Sequence, residues 1–247
     1  MGRILYHGAG THSAPKLGAF MGIEAVKKLF SPVDFLIRWG MATKAEIEGI
    51  EVNKRKSLIR YFSRMKQLTL LKAAGVSVPP FSASPDVGFP MLGRNEGKPN
   101  RQSTKGRGIT FYPESENHKG HSFYMKFFPK QRQFRVHVIG KQTRTRELIP
   151  NTKANLEQPI WNFDCGFTYR NLKTPRPEGV IPQARHAISA LALDFGAVDV
   201  IVHDKTPYVL EVNTAPGLGD LTLAWYARHL APLVGLDPKS LPGLEKA

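Results

Sequence analysis

The stretch Gly196 to Leu218, GAVDVIVHDKTPYVLEVNTAPGL, decides how the chain is read. Two short segments of alternating polarity flank Asp204, Lys205 and Thr206, which predicts a β-hairpin with a three-residue loop. In that register His203 pairs with Pro207, Ile201 with Val209 and Asp199 with Glu211. Side chains alternate between the faces of a strand, so Val198, Val200, Val202, Tyr208, Leu210 and Val212 share one apolar side, expected to meet a core. Asp199, Glu211 and Asn213 fall on the other side. Carboxylates opposed across a hairpin repel. A divalent cation between them reverses the sign, because hard cations take oxygen ligands from Asp, Glu and Asn. A solvated face with incidental acids is the plainer alternative. The basic surroundings and the Asn-Thr-Ala-Pro-Gly turn that follows favour the cation.

The chain has 247 residues, 41% of them hydrophobic, enough for one large or two small cores. The lone Cys165 excludes a disulfide framework and a cysteine metal cage. There is no cleaved-signal pattern over Met1 to Phe20 and no apolar run long enough to span a bilayer. A soluble, cytoplasmic protein with no membrane partner is expected. The formal charge is +15, which speaks of partners rather than fold. Nucleic acid, an acidic peptide or phosphorylated small molecules would suit it. No zinc-finger spacing, RNP pattern or helix-turn-helix supports nucleic acid by motif.

Along the chain, Arg3 to Tyr6 predicts a short strand, followed by a turn region reaching Pro15. Leu17 to Leu29 has helical spacing, and Val33 to Trp39 reads as a buried strand, giving a small β-α-β start. Ser57 to Ala74 predicts one amphipathic helix, with Gly75 behind it as a natural C-cap. Strands are expected within Gly88–Arg94, Ile109–Tyr112, Ser122–Phe128, Phe134–Ile139 and Thr143–Ile149. The loop Asn95 to Gly108 is basic and glycine-containing, a composition that can fold over phosphates. Asn151 to Arg170 reads as irregular, and Pro182 to Phe195 as a helix. Asp220 is expected to cap a last helix from about Leu221 to Leu233.

This order of features resembles the ATP-grasp superfamily over about residues 33 to 235. Its members include D-alanine–D-alanine ligases, glutathione synthetases and ligases that add glutamate to protein tails. The family's metal hairpin has an Asp on one strand, a second strand ending Glu-x-Asn, and a Pro-Gly turn. Asp199, Glu211, Asn213 and Pro216-Gly217 match it. The resemblance implies that these three residues ligate one or two magnesium ions, with manganese able to substitute. Lys66, or its neighbour Arg64, matches a phosphate-reaching basic residue. Arg94, ending FPMLGR, stands where the family has a phosphate-binding Lys. STKGRGI resembles the glycine-rich lid, with Gly106 and Gly108 as flexible points beside Lys105. FYMKFF resembles the hinge that bonds adenine through its backbone, which implicates Met125, Lys126, Phe127 and Phe128. QFRVHVIG resembles the acid-x-Arg strand, with Gln133 in place of the ribose-holding acid and Arg135 facing phosphate or the reacting carboxylate. Asn162 falls in a segment similar to the Asn-containing loop of the glutamate-adding ligases. Ala197 replaces an Arg that stabilises the intermediate in some ligases, a role left to Arg135 or Arg146.

The fold so implied is α+β: two α/β subdomains gripping ATP between antiparallel sheets, with a truncated N-terminal β-α-β segment. A pre-grasp segment would span 1–55 and the ATP-grasp domain 56–247. The smaller lid subdomain falls at about 76–128 and the larger, metal-bearing one at about 129–235. The implied activity is ATP- and Mg-dependent joining of a carboxylate to an amine through an acylphosphate. The segment before residue 50 reads as too short for a substrate-binding domain, which points to a peptide or protein tail presented from outside. Two alternatives stay open. One is a kinase on the same scaffold acting on a polyanionic hydroxyl substrate. The other is a degenerate member that binds nucleotide or nucleic acid.

Overall fold

The computed structural model describes residues 1–6, 12–59, 63–95, 109–114, 120–152, 154, 159–162 and 164–244. The first layer is a four-stranded parallel sheet of order β2-β1-β3-β4, from β1 (Arg3–Tyr6), β2 (Glu24–Val26), β3 (Val33–Trp39) and β4 (Ile47–Val52). The helix expected over 17–29 is shorter and earlier: α1 runs Ser13–Met21. Gly22 ends it at φ 68°, a backbone shape that suits glycine, and β2 follows directly. The apolar spacing thus mixed the end of a helix with a strand.

The single helix expected over 57–74 is also divided. Here α2 covers Arg55–Ile59 and α3 covers Arg64–Ala73. Ser63 is extended (φ −111°, ψ 155°), and its hydroxyl accepts from the Lys66 N–H at 3.1 Å as an N-cap. An N-cap serine inside a helical apolar pattern was the signal of this break. Gly75, at φ 82°, follows α3 as expected.

The largest layer is a five-stranded antiparallel sheet of order β11-β10-β9-β12-β13. Its strands are β9 (Arg132–Ile139), β10 (Gln142–Pro150), β11 (Phe167–Arg170), β12 (Phe195–His203) and β13 (Thr206–Asn213). One face carries Phe134, Val136, Val138, Val198, Val200, Val202, Val209 and Val212 into a core with Leu68 and Leu71 of α3 and with α4 (Val180–Ala190). Each such side chain contributes roughly 1.5–3 kcal/mol when fully buried. The outer edge of β13 is covered. Gln67 donates to the Val212 carbonyl at 2.9 Å and accepts from its N–H at 2.8 Å, while Val209 N–H reaches the Ser77 carbonyl at 2.8 Å.

The hairpin between β12 and β13 departs from the expected register. Its loop is two residues, Asp204 and Lys205, both at positive φ (46° and 64°), the pattern of a type I′ turn. His203 therefore pairs with Thr206, and Val200 with Val209. A bulge between Asp199 and Val200 absorbs the slip, so Asp199 pairs with Glu211 after all. The bulge exchanges faces on the distal part of β13. Val209 enters the core, Tyr208 lies against Phe128 at 4.8 Å, and Leu210 turns toward the opposite face.

A four-stranded antiparallel sheet of order β5-β8-β6-β7 stands against this layer. It comprises β5 (Phe81–Ser82), β6 (Met91–Arg94), β7 (Ile109–Tyr112) and β8 (Phe123–Lys126). Helix α5 (Asp220–Leu230) joins α1 and the first sheet in a second core around Trp39, Phe195 and Tyr226. Its N-cap is Gly219 rather than Asp220, which occupies the first turn without a capping bond. Mixed α/β layers with antiparallel sheets agree with the α+β class expected.

Candidate active site

Residues directly opposite one another in neighbouring strands share a face. Arg146 pairs with Arg135, Arg135 with Asp199, and Asp199 with Glu211. Four charged side chains thus form one rung across β10, β9, β12 and β13, on the face turned away from the valine core. Between this face and the small sheet lies a cavity of about 530 Å³. Asp199, Glu211 and Asn213 all line it, as do Arg135 and Gln133 from β9 and Arg94 from β6.

The opposed acids are neutralised by arginine. Arg135 donates to both oxygens of Asp199, each at 2.7 Å, in a bidentate fork. Burial alone lowers the Arg135 pKa, but the Asp199 carboxylate overrides it and the net shift is upward. Arg64, at the start of α3, pairs with Glu211 and donates to the Leu210 carbonyl at 2.9 Å. Tyr169 of β11 lies under Arg135, the guanidinium 4.5 Å from its ring centre. Its hydroxyl donates to Asp199 at 3.4 Å and hydrogen-bonds the Gln133 side chain. Burial, then Asp199, pushes the Tyr169 pKa up, so the phenol stays protonated.

Two carboxylates and an amide are oxygen donors that suit magnesium. Magnesium takes one or two carboxylates together with substrate phosphates rather than an all-protein cage. Among the described residues no group of three His, Cys, Asp or Glu is placed to hold a metal ion. The Asn213 amide oxygen accepts from Ala215 N–H at 2.8 Å, which fixes its direction. The donor set fits a phosphate-borne magnesium ion and does not by itself make a closed metal site.

Other expected residues divide. Of the basic pair on α3, Arg64 reaches the cavity, while Lys66 is exposed and does not line it. Lys105, Gly106 and Gly108 lie outside the described residues. In the hinge, Met125 lines the cavity. Lys126 turns to the Phe89 carbonyl, Phe127 packs edge-on to Phe111 at 4.9 Å, and Phe128 stacks on His203 at 4.8 Å. The N–H groups of Lys126 and Phe127 donate to the Pro80 and Pro90 carbonyls at 2.8 and 2.9 Å. Those two amides are spent closing the strand end, so neither has its N–H turned to a base. Asn162 lines the cavity, its side-chain oxygen accepting from Cys165 N–H at 2.8 Å. Arg146 shares the rung but does not line the cavity; it donates to Asn171 Oδ1 at 3.0 Å and to the Tyr169 carbonyl at 3.3 Å.

Lys130 lies in the short connection between the expected strands Ser122–Phe128 and Phe134–Ile139. It lines the cavity, donates to the Pro159 carbonyl at 2.8 Å, and lies 5.0 Å from the Trp161 ring centre. Burial pushes its pKa down to about 8. The aromatic flanks of FFPK were the one sequence signal of a desolvated lysine. Tyr169 gave none, because its role comes from lateral strand pairing.

No family model matches the chain, and none of the curated proteins matches it. Solved structures do. D-alanine–D-alanine ligase from Bacillus anthracis is similar at a TM-score of 0.66 and 13% identity, over 99% of this chain and 98% of that one. N5-carboxyaminoimidazole synthetase from Staphylococcus aureus, complexed with ADP, is similar at a TM-score of 0.69 and 11% identity, over 96% and 78%. The macrocyclase MdnC from Microcystis aeruginosa, bound with its precursor peptide MdnA, is similar at a TM-score of 0.59 and 14% identity, over 100% and 99%. The chain has the ATP-grasp fold.

Proposed function

We propose that this chain is an ATP- and magnesium-dependent carboxylate–amine ligase that works through an acylphosphate on an acidic peptide or protein substrate. The observation that carries the reading is the rung Arg135–Asp199–Glu211, joined by Arg64 and faced across the cavity by Arg94. A carboxylate is a poor electrophile at neutral pH. Transfer of the γ-phosphoryl group of ATP to it creates a leaving group that an amine can displace. The protein's work in such a transfer is positioning and charge neutralisation. Arg94 and Arg135 hold phosphate oxygens, and Arg64 adds charge beside Glu211. Asp199, Glu211 and Asn213 would hold magnesium, which supplies further neutralisation of the phosphates when bound. Gln133 meets ribose hydroxyls, Met125 packs against the base, and Asn162 orients the acceptor carboxylate. Lys130 adds a cation at the aromatic wall.

Three things support the acidic substrate: the +15 charge, the cavity's arginines, and the likeness to a macrocyclase solved with a precursor peptide. The test is isotopic. With an acceptor peptide labelled with 18O in its carboxylates, ATP, magnesium and an amine, one label should appear in inorganic phosphate for each bond formed. Phosphate esterified to a hydroxyl would instead establish the kinase alternative, and tight nucleotide binding without ADP release the degenerate one.

A further inference from the structure

The rung continues beyond the cavity, and its charge does not balance there. On β10, Arg144 and Arg146 are two residues apart and share a face. They lie opposite His137 and Arg135 respectively. Glu147, between them and the strand's far end, points to the other face, where it pairs with Arg132 at 2.6 and 2.8 Å. Asp199 gives both oxygens to Arg135. His137 is buried and hydrogen-bonded to the Tyr226 hydroxyl at 3.0 Å. Burial first, then Arg135, Arg144 and Arg146, push its pKa down to about 3, so it is neutral and offers no counter-charge. Among the described residues no carboxylate pairs with Arg144 or Arg146. Among the described residues Arg146 donates to neutral acceptors, the Asn171 side chain and the Tyr169 carbonyl, and the Arg144 Nε is buried without a hydrogen-bond partner. Burial and Arg144 together lower the Arg146 pKa, the mark of two close cations.

A buried guanidinium N–H left without a partner, such as the Arg144 Nε, is costly, and the cost is recovered when an anion arrives to accept from it. We infer that Arg144 and Arg146 form a carboxylate-binding subsite that holds a second, non-reacting carboxylate of the acceptor substrate. A carboxylate fits because the planar fork of Arg matches it bidentately. It is a non-reacting one because β10 lies two strands from β12, roughly 10 Å from Asp199 across the sheet. Arg146 moreover turns toward β11, away from Asp199. The acceptor is therefore at least a diacid, which an acidic peptide provides. This assignment rests on the ligase reading for the word acceptor; binding itself does not.

The experiment measures a fluorescein-labelled pentaglutamate probe by anisotropy, on the full chain saturated with a non-hydrolysable ATP analogue and magnesium. Arg144→Gln should weaken the probe roughly tenfold or more and leave the affinity for the analogue unchanged. Arg144→Lys should recover part of the loss. Lys239→Gln, which removes one exposed charge elsewhere, should stay within about twofold of wild type, as expected of a surface charge. Equal losses in Arg144→Gln and Lys239→Gln would overturn the subsite as general electrostatics. A loss of analogue affinity in place of probe affinity would overturn it in favour of a nucleotide-phosphate site. If Arg144→Gln does not fold, Arg146→Gln carries the same comparison. In a parallel assay with ATP, magnesium and an amine in place of the analogue, tight, Arg144-dependent probe binding with no ADP formation would keep the subsite and end the ligase reading. ADP formation with an unchanged probe affinity in Arg144→Gln would do the reverse.

Discussion

At the scale of single residues, Asp199 and His137 carry opposite lessons from one strand neighbourhood. Asp199 accepts a bidentate fork from Arg135, so Asp199→Ala leaves a guanidinium without its partner. Breaking a buried pair by removing one member costs about 3–5 kcal/mol. The loss here should fall at or below the lower end, since the Arg135 side chain is 18% exposed; urea unfolding measures it. His137 is neutral, its pKa pushed down to about 3 from an ordinary 6.5. The unfolded chain then binds a proton between those values that the folded chain does not. Stability is therefore fully present above pH 6.5 and is lost as pH falls toward 3. We expect His137→Gln, which preserves a bond to Tyr226, to flatten that acid-side loss in unfolding curves at pH 7 and pH 4.5. A slope equal to wild type would contradict the assignment. The candidate metal ligands were legible because a one-dimensional pattern, Asp then Glu-x-Asn, carries them. Arg64, Lys130 and Tyr169 owe their places to α3, a turn and an edge strand that converge only in space. Lys66 sits two residues from the right position, about half a helical turn, and so points elsewhere.

At the scale of elements, alternation in the hairpin predicted the faces of Asp199 and Glu211 correctly and those of Tyr208 and Leu210 wrongly. One residue of turn length and one bulge cancel at the acids and not beyond them. A bulge has no signature in an alternation pattern, so that half of the strand was not readable. The turn itself invites a test. Lys205 holds φ 64°, a shape that costs an L-residue roughly 1–2 kcal/mol. Lys205→Gly should stabilise the chain by about 0.5–1 kcal/mol once the looser unfolded chain is discounted, seen as a raised Tm. The covered edge of β13 gives a second expectation. Gln67→Leu keeps the volume and strands the Val212 N–H and carbonyl, which should cost about 1–3 kcal/mol for each group left unsatisfied. An unchanged Tm would mean that water reaches that edge. The single helix expected over 57–74 shows the general limit: apolar periodicity runs straight through Ser63, and only the cap chemistry of that residue marks the break.

At the scale of the whole molecule, two sheets face each other across a cavity, and the parallel layer packs with α5 in a separate core. Among the described residues no helix is long and apolar enough to cross a membrane. The architecture was legible because strands, turns and the acid pair recur in a fixed order, even where helix limits were not. A net charge of +15 should speed capture of an acidic substrate, with an association rate that falls steeply as salt rises past the point where the Debye length is about 10 Å. A rate insensitive to salt would remove charge from the substrate argument. The central claim is that Asp199 and Glu211 organise phosphoryl transfer, and it is tested most directly by magnesium-dependent ADP formation in Glu211→Gln. That variant keeps the shape of the side chain and loses one charge. We expect an intact fold by circular dichroism and a turnover reduced by about 100-fold or more, the scale of a lost electrostatic group in a transition state. Turnover near the wild-type rate would contradict the account.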